Sequence, residues 1–208
     1  VVRDLVLGRA PKEISGMVPP DRPAPPDQRL AELVVRFQQT CGPVMAKGVE
    51  DTAFYRWFRL VALNEVGGNP EHFGVAPEEL HAFFGRQQQV WPSTMTTLST
   101  HDTKRSEDVR ARLAVLAETP QAWAELIGEL REVVAPQRDP LVDPATEYLL
   151  WQTVFGTWSA GPVAGERLRQ YAVKAVREAN VRTSWTAPDE PYETAVLRFV
   201  DDLLADPE

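Results

Sequence analysis

The sequence predicts a mainly α fold, a multi-helix domain with one short strand segment. Three observations lead to this fold class. Apolar residues recur at helical spacing over most of the chain. Several of these stretches begin with a capping residue or with a proline at the first helical position. A single threonine-rich stretch lacks the helical period, and threonine favours strands over helix interiors.

Composition divides the chain into two regions. Residues 1–28 hold six of the 18 prolines, a density that no helix interior tolerates, so they are predicted to form an extended, proline-rich lead-in. Residues 29–208 are predicted to form a helical body that contains one isolated strand and a loop near residues 93–105.

The helices of the body can be placed in chain order. Asp27 is suited to cap the first, over residues 28–40, whose apolar residues share one face. A second, with an aromatic stripe, is predicted over residues 51–66 and ends before two glycines. The remaining helices are predicted over residues 76–91, 106–118, 119–134, 143–158, 164–180 and 190–205.

The exception to this pattern lies between Trp91 and Asp102. The run PSTMTTLSTHD has no helical period and is predicted to be extended. It ends in His101-Asp102, and a basic pair, Lys104-Arg105, precedes the next helix. A strand that ends in polar residues and leads into a helix is how a β/α barrel presents catalytic groups. Because the chain contains one such unit and begins with Val1 rather than Met, we expect it to be a piece of a longer protein.

Charge and cysteine content exclude several classes of protein. The formal net charge is −8, which is unsuitable for a non-specific nucleic-acid binder. Cys41 is the single cysteine, so an intrachain disulfide and a cysteine zinc cluster are impossible. No run of 18 apolar residues occurs, and the sequence shows no apolar signal region at its start. We expect a cytoplasmic protein with no nucleic-acid or membrane partner.

Several stretches carry a resemblance to a known family. The run LSTHDTKRSEDVRARL, residues 98–113, resembles the fourth conserved region of the α-amylase clan, glycoside hydrolase family 13. More narrowly, residues 42–70, 83–113 and 174–204 resemble the maltooligosyl trehalose synthase family, in the order that family shows. The resemblance implies that the chain is a C-terminal portion of a larger (β/α)8-barrel enzyme, with an orphan barrel strand and a catalytic-region loop near residues 93–105.

The resemblance also implies a reaction. In this family the reducing-end α-1,4 bond of a maltooligosaccharide becomes an α,α-1,1 bond by intramolecular transglucosylation with retention, a step of trehalose biosynthesis. Such an enzyme is a (1→4)-α-D-glucan 1-α-D-glucosylmutase, an intramolecular transferase of the isomerase class. The implied partners are a maltooligosaccharide and the rest of the parent chain. No cofactor and no metal are expected.

Residue roles follow from the same resemblance. Asp102 would hydrogen-bond the ring hydroxyls and stabilise the transition state, because these bonds strengthen as the sugar approaches an oxocarbenium ion. His101 would donate to a neighbouring hydroxyl. Lys47 and Asp51 would bind substrate in the acceptor subsites. Lys104 and Arg105 are also candidate substrate-binding residues, although they could instead anchor acidic residues in the following helix.

Retaining glycoside chemistry needs two further carboxylates, a nucleophile and a general acid/base. The clan carries them in an earlier Arg-x-Asp segment and at an earlier strand-end Glu. No such motif lies upstream of Thr94 in this sequence. We therefore expect the 208-residue chain to be inactive by itself.

Three alternative functions remain open at this point. The parent could be another glucan hydrolase or transferase of the α-amylase clan, or the chain could be a non-catalytic helical interaction module. A helical metal-dependent phosphohydrolase would use a His…His-Asp…Asp set, and His72 and His81 do precede His101-Asp102. That doublet should then lie on a helix, and the pattern of STHDT is not helical.

Overall fold

The computed structural model describes residues 28–136, 138–158 and 165–205. Among these residues it contains seven α-helices and no strand, so the predicted mainly α fold class is confirmed. The proline-rich lead-in and the capping role of Asp27 lie outside the described residues, apart from Gln28, which begins the first helix. The helices are α1 (Gln28–Met45), α2 (Pro77–Val90), α3 (Glu107–Glu118), α4 (Pro120–Val134), α5 (Pro144–Thr157), α6 (Gly165–Ala179) and α7 (Glu190–Leu204).

The described residues fall into two compact units, one that ends at Val49 and one that begins at Glu50. In the first unit α1 runs past its predicted end at Thr40 and continues through Pro43 to Met45. A π-helical turn, Ala46–Glu50, follows directly. Leu33 on α1 is 54% exposed.

The second unit is built around α5. Helix α3 packs on α5, and α6 packs on α7. Helix α3 lies close to α5 at Gly156, where an added Cβ would lie 2.9 Å from Leu113 Cγ. The side chains at the centre of the core are almost fully removed from water, which stabilises each by about 1.5–3 kcal/mol. They include Val61, Leu113, Val142, Leu150, Leu168, Val196 and Val200.

The helix predicted over residues 51–66 is wrong. Two short 3-10 turns, Ala53–Tyr55 and Val61–Leu63, stand in its place. Here side chains form the hydrogen bonds to backbone groups that a helix would have paired with each other. Val61 N donates to Gln152 Oε1 at 2.9 Å, and Gln152 Nε2 donates to Phe58 O at 2.8 Å. Asn64 Nδ2 donates to Phe54 O at 2.9 Å. Since Gln152 and Asn64 are buried, these bonds hold the segment in an irregular form.

The short strand predicted near residues 93–105 is also wrong, since the segment consists of turns and irregular chain. A strand needs a neighbour to pair its backbone groups, and the described residues contain no strand. Threonine side chains bond local backbone groups instead. Thr94 Oγ1 donates to Trp91 O at 2.7 Å, and Thr103 Oγ1 donates to Thr100 O at 2.8 Å.

Helix α2 differs from the other helices of its unit because none of its residues is buried. Phe83 and Phe84 are about half exposed and stack edge to face, with ring centroids 5.4 Å apart. Trp91 at the end of the helix is 68% exposed, and Met95 beyond it is 96% exposed. Helix α2 therefore owes little of its stability to burial within this unit.

None of the described helices combines the length and the apolar character that crossing a membrane requires.

Candidate functional site

His101 and Asp102 lie in a turn between α2 and α3. Thr100 Oγ1 accepts from Asp102 N at 3.2 Å, and Thr103 N donates to Thr100 O at 3.4 Å, which closes the turn. The two side chains are 90% and 70% exposed, with His101 Nε2 3.2 Å from Asp102 Oδ2. An imidazole and a carboxylate presented in this way can exchange hydrogen bonds with the hydroxyls of a sugar.

Lys104 and Asp51 are brought together by the fold. Lys104 Nζ lies 2.5 Å from Asp51 Oδ1, and the two side chains are only 12% and 24% exposed. The partner of Lys104 is therefore Asp51 and not an acidic residue of the helix that follows. This pair joins the segment after His101-Asp102 to the irregular segment that replaces the predicted helix.

Arg105 reaches in the opposite direction, into the unit. Its guanidinium donates to Val61 O at 3.2 Å and to the hydroxyl of Tyr171, on α6, at 2.8 Å. Burial holds the pKa of the nearby Tyr55 above its ordinary value, and Tyr171 adds to this while Arg105 opposes it. Tyr55 is therefore a neutral hydroxyl at physiological pH. Lys104, Arg105 and Tyr171 also line a small pocket of about 180 Å³ beside α3 and α5.

Glu65 occupies the centre of these contacts. Its Oε1 accepts from Lys104 N at 2.7 Å and from Val66 N at 2.8 Å, and its Oε2 accepts from Arg105 N at 3.1 Å. Arg110 Nε approaches the same carboxylate at 3.9 Å. The side chain is 13% exposed, so these bonds form largely out of contact with water.

The remaining candidate residues lie elsewhere. Lys47 is in the π-helical turn of the first unit. His72 and His81 are exposed, the first in a turn and the second on α2. Over the described ranges, no group of three or more His, Cys, Asp or Glu residues has an arrangement that could hold a metal ion.

A larger cavity, of about 860 Å³, lies away from His101-Asp102. Trp57, Trp123 and Tyr148 contribute to its lining, and Trp123 Nε1 donates to the Tyr148 hydroxyl at 3.0 Å. Trp123 is only 8% exposed, so most of its ring packs in the core. The His101-Asp102 pair and this cavity therefore occupy different places in the unit.

Similar proteins were found by sequence and by structure. Proteins from two strains of Mycobacterium tuberculosis, provisionally named maltooligosyl trehalose synthase, are 48% identical over 186 residues, which is 86% of this chain and 23% of theirs. The structure of maltooligosyltrehalose synthase from Arthrobacter ramosus matches with a TM-score of 0.76 at 43% identity, over 88% of this chain and 23% of that one. A crystal structure of a maltooligosyl trehalose synthase matches with a TM-score of 0.80 at 29% identity, over 99% of this chain and 29% of that one.

This chain is homologous to a segment of the maltooligosyl trehalose synthases. No family model matches it. It spans 23% of the length of the curated maltooligosyl trehalose synthases that it matches, so most of a protein of that length lies outside the segment.

Within this segment, the sequence patterns did not reveal Glu65, Tyr171 and Gln152. Glu65 was read as the end of a helix, where an acidic residue carries no special meaning. The two glycines that follow it gave no usable signal, because a glycine with positive φ, such as Gly67 with a φ of 71°, occurs after helices as well as in tight turns. Tyr171 and Gln152 lie on helices far along the chain, and no local pattern connects them to residues 51–66.

Proposed function

We propose that this chain is a segment of a longer enzyme that converts the reducing-end α-1,4 bond of a maltooligosaccharide into an α,α-1,1 bond. The observation that carries this proposal is the 48% identity over 186 residues to proteins named maltooligosyl trehalose synthase. The reaction is an isomerisation, because the product has the same atoms as the substrate and one glycosidic bond replaces another. It would make the enzyme a (1→4)-α-D-glucan 1-α-D-glucosylmutase of glycoside hydrolase family 13.

The proposed chemistry proceeds by two displacements with net retention. A carboxylate nucleophile attacks the anomeric carbon while an acid protonates the leaving oxygen of the terminal glucose. That glucose stays bound, turns, and attacks the glycosyl-enzyme through its own anomeric hydroxyl, returning a proton to the general base. Since the sequence offers no candidate for either carboxylate, both are assigned to other parts of the parent, and the isolated chain is expected to be inactive.

Asp102 is proposed to stabilise the transition state. Its carboxylate accepts hydrogen bonds from ring hydroxyls whose acidity rises as positive charge develops on the sugar, so the bonds tighten during the reaction. The exposure of Asp102 in this unit supports the role, because 70% of its side chain is open to a ligand. His101, 3.2 Å away, is proposed to donate to an adjacent hydroxyl.

Lys47, Asp51, Lys104 and Arg105 are proposed to contribute to substrate binding. Asp51 and Lys104 pair with each other, so they would present a joined, nearly neutral polar surface to a neutral glucan. Arg105 is anchored to Tyr171 and would act through the remaining N–H groups of its guanidinium.

The cellular setting is part of the same proposal. A chain with one cysteine cannot rely on internal disulfides, which suits the reducing cytoplasm. The net charge of −8 suits a neutral glucan better than nucleic acid or an anionic membrane surface. The reaction is neither an oxidation nor a reduction, and carboxylates suffice for it, so neither a cofactor nor a metal is proposed.

The test uses the full-length parent with a maltooligosaccharide and counts reducing ends over time, alongside the distribution of chain lengths. The variant is Asp102→Asn. The matched control is Asp108→Asn, because Asp108 is exposed in the first turn of α3 and undergoes the same chemical change six residues later.

We expect reducing ends to disappear without shortening of the chain, and Asp102→Asn to lower that rate by about 100-fold or more, as loss of one preorganised charged contact does. Asp108→Asn should retain the parental rate. If reducing ends rise instead, the parent is a hydrolase of the same clan. If neither the number of reducing ends nor the distribution of chain lengths changes with the wild-type parent, the chain belongs to a non-catalytic module.

A further inference from the structure

The backbone just after Asp102 is held by a single carboxylate from a distant segment. Glu65 accepts from the amides of Lys104 and Arg105, which are consecutive residues, with one oxygen for each amide at 2.7 and 3.1 Å. The donors and the acceptor are 39 and 40 residues apart in sequence. This contact therefore fixes where one segment lies relative to the other.

Over the described residues, Glu65 is the acceptor recorded for both amides. They precede α3, whose N-cap residue, Ser106, makes no side-chain capping bond. Leaving a partly buried backbone donor unpaired is unfavourable, because the donor loses its bonds to water without gaining another. Because a carboxylate accepts at both oxygens and forms stronger bonds than a neutral group, Glu65 suits two adjacent donors.

Further contacts restrain the same stretch of backbone on both sides of the turn. Before the turn, Ser99 Oγ donates to Glu107 on α3, and Arg110 donates to Leu98 O. After it, the Lys104 side chain pairs with Asp51. At the tip of the turn, the His101 and Asp102 side chains extend into solvent. A turn built in this way holds its exposed carboxylate on a rigid base.

We propose that Glu65 is a positioning residue. It sets the position and orientation of the Asp102 side chain by fixing the backbone two and three residues beyond it. The inference rests on the proposed function for its kinetic consequence, whereas the clamp itself is a property of this chain. Glu65 touches no substrate in this role and acts only through Asp102.

Replacement by glutamine separates the clamp from the bulk of the side chain. Glutamine keeps the size of Glu65 but offers one acceptor and one donor, so its amide nitrogen would face a backbone N–H. One of the two bonds must break. The matched control is Glu50→Gln, because Glu50 Oε1 accepts from Gly67 N at 3.1 Å, close to Glu65 in sequence, and its recorded hydrogen bond over the described residues is not to the turn.

The first measurement is amide hydrogen exchange on the 208-residue chain, resolved by residue with NMR. In Glu65→Gln at least one of the amides of Lys104 and Arg105 should exchange at least about 10-fold faster, since loss of about 1.4 kcal/mol of protection corresponds to that factor. Amides in α5 should be unchanged, which shows that the fold is intact. In Glu50→Gln the two amides should exchange as in the wild type.

The second measurement is made on the full-length parent. We expect Glu65→Gln to lower kcat by about 10- to 100-fold, as misplacement of a catalytic group by about 1 Å does, with KM within about threefold of wild type. Affinity for 1-deoxynojirimycin, a cationic mimic of the developing charge, should fall by a similar factor, while affinity for maltotetraose stays constant. General damage to the fold would instead lower the affinity for both ligands.

The outcomes separate the two proposals. A wild-type parent that forms no trehalosyl end refutes the proposed function, and the kinetic role of Glu65 with it. A wild-type parent that does form this product, with a Glu65→Gln variant that keeps its kcat or loses affinity for both ligands equally, overturns the positioning role alone. Unchanged exchange of Lys104 and Arg105 in that variant overturns the clamp.

Discussion

Helices α2 and α5 have the same length and begin in the same way, yet they occupy opposite environments. Each has 14 residues with a proline in its first turn. Helix α2 buries none of its residues, whereas α5 buries eight, including polar side chains such as Gln152 and Glu147. Similar local signals therefore produced both helices, and their surroundings decide what each contributes to stability.

The difference shows where the second unit stores its stability. In α5, Glu147 is buried beside Arg131 and Arg138, each 3.0 Å from one of its oxygens, and Gln152 holds the backbone of a distant segment. Helix α2 also carries large apolar side chains, but it leaves them open to water. Paired mutations in the two helices make this contrast measurable.

The largest difference is expected for leucine truncation. Leu150 on α5 is 1% exposed and Leu80 on α2 is 44% exposed. Leu150→Ala should lower the free energy of unfolding by about 2–5 kcal/mol, because the removed methyl groups leave a cavity. Leu80→Ala should change it by about 0.5 kcal/mol or less. Urea unfolding curves with equal slopes measure both, and equal losses would show that α2 is buried after all.

Exchange of glutamine for leucine should have the next largest effect. Gln152→Leu keeps the side-chain volume but leaves Val61 N and Phe58 O without their partner, which should cost about 2–3 kcal/mol. Gln88→Leu, on the exposed α2, should cost about 0.5 kcal/mol or less. The shift of the urea midpoint from that of the wild type measures each change. A neutral Gln152→Leu would mean that the segment around Val61 is held by packing alone.

The two helix N-termini also differ, and this difference depends on pH. Asp143 caps α5 by accepting from Ala145 N and Thr146 N, and it also accepts from the hydroxyl of Tyr192. Burial opposes ionisation of this carboxyl, but the hydrogen bonds from Thr146 and Tyr192 outweigh it, so the pKa of Asp143 lies below its ordinary value. Asp143→Ala should therefore cost about 1–2 kcal/mol at pH 7.

That cost has a predictable pH window. The unfolded carboxyl titrates near pH 3.9, and the folded one titrates lower. The advantage of the wild type is thus fully present above about pH 5 and declines as pH falls through the folded pKa. Unfolding free energies at pH 7, 4 and 2 measure it, and a pH-independent difference would contradict the ionised cap.

Ala76 leaves α2 uncapped, so Ala76→Asp should slow amide exchange in its first turn several-fold.

The smallest expected effects come from glycine. Gly156 on α5 faces α3, and a Cβ there would lie 2.9 Å from Leu113 Cγ. Gly85 on α2 has no atom within 4 Å of such a Cβ. Gly85→Ala should stabilise its helix by up to about 1 kcal/mol through helix propensity. In Gly156→Ala the clash should outweigh that gain and leave a net loss of about 1 kcal/mol. Helix-resolved hydrogen exchange distinguishes the two signs.

Local chemistry predicted most of the helices. Capping residues and prolines placed α2 through α5 within about two residues of their ends, because these signals act over a single turn. The segment over residues 51–66 could not be predicted, since its shape depends on Gln152, 91 residues beyond Val61. The aromatic stripe that suggested a helix there reflects burial of residues such as Phe54 and Tyr55, which irregular chain also achieves.

The candidate site also has one part that a local sequence motif indicated and another part that depends on distant contacts. His101-Asp102 was identified from its resemblance to a family motif, and its exposed position in a turn is compatible with binding a ligand. The expected strand beneath it is absent, because a barrel strand depends on neighbours that this segment does not contain. Glu65 escaped notice because its partners are backbone amides, which every residue carries and no sequence pattern distinguishes.

The contact between Val61 and Gln152 also constrains the order in which the protein folds. During synthesis, 91 residues separate the two partners, and at about 5–20 residues per second the ribosome needs roughly 5–20 seconds to supply them. Until then, Val61 N and Phe58 O can pair only with water or with transient partners. The stretch that carries Glu65 is therefore exposed to proteases and chaperones in the nascent chain, and it reaches its final form only after α5 has been made.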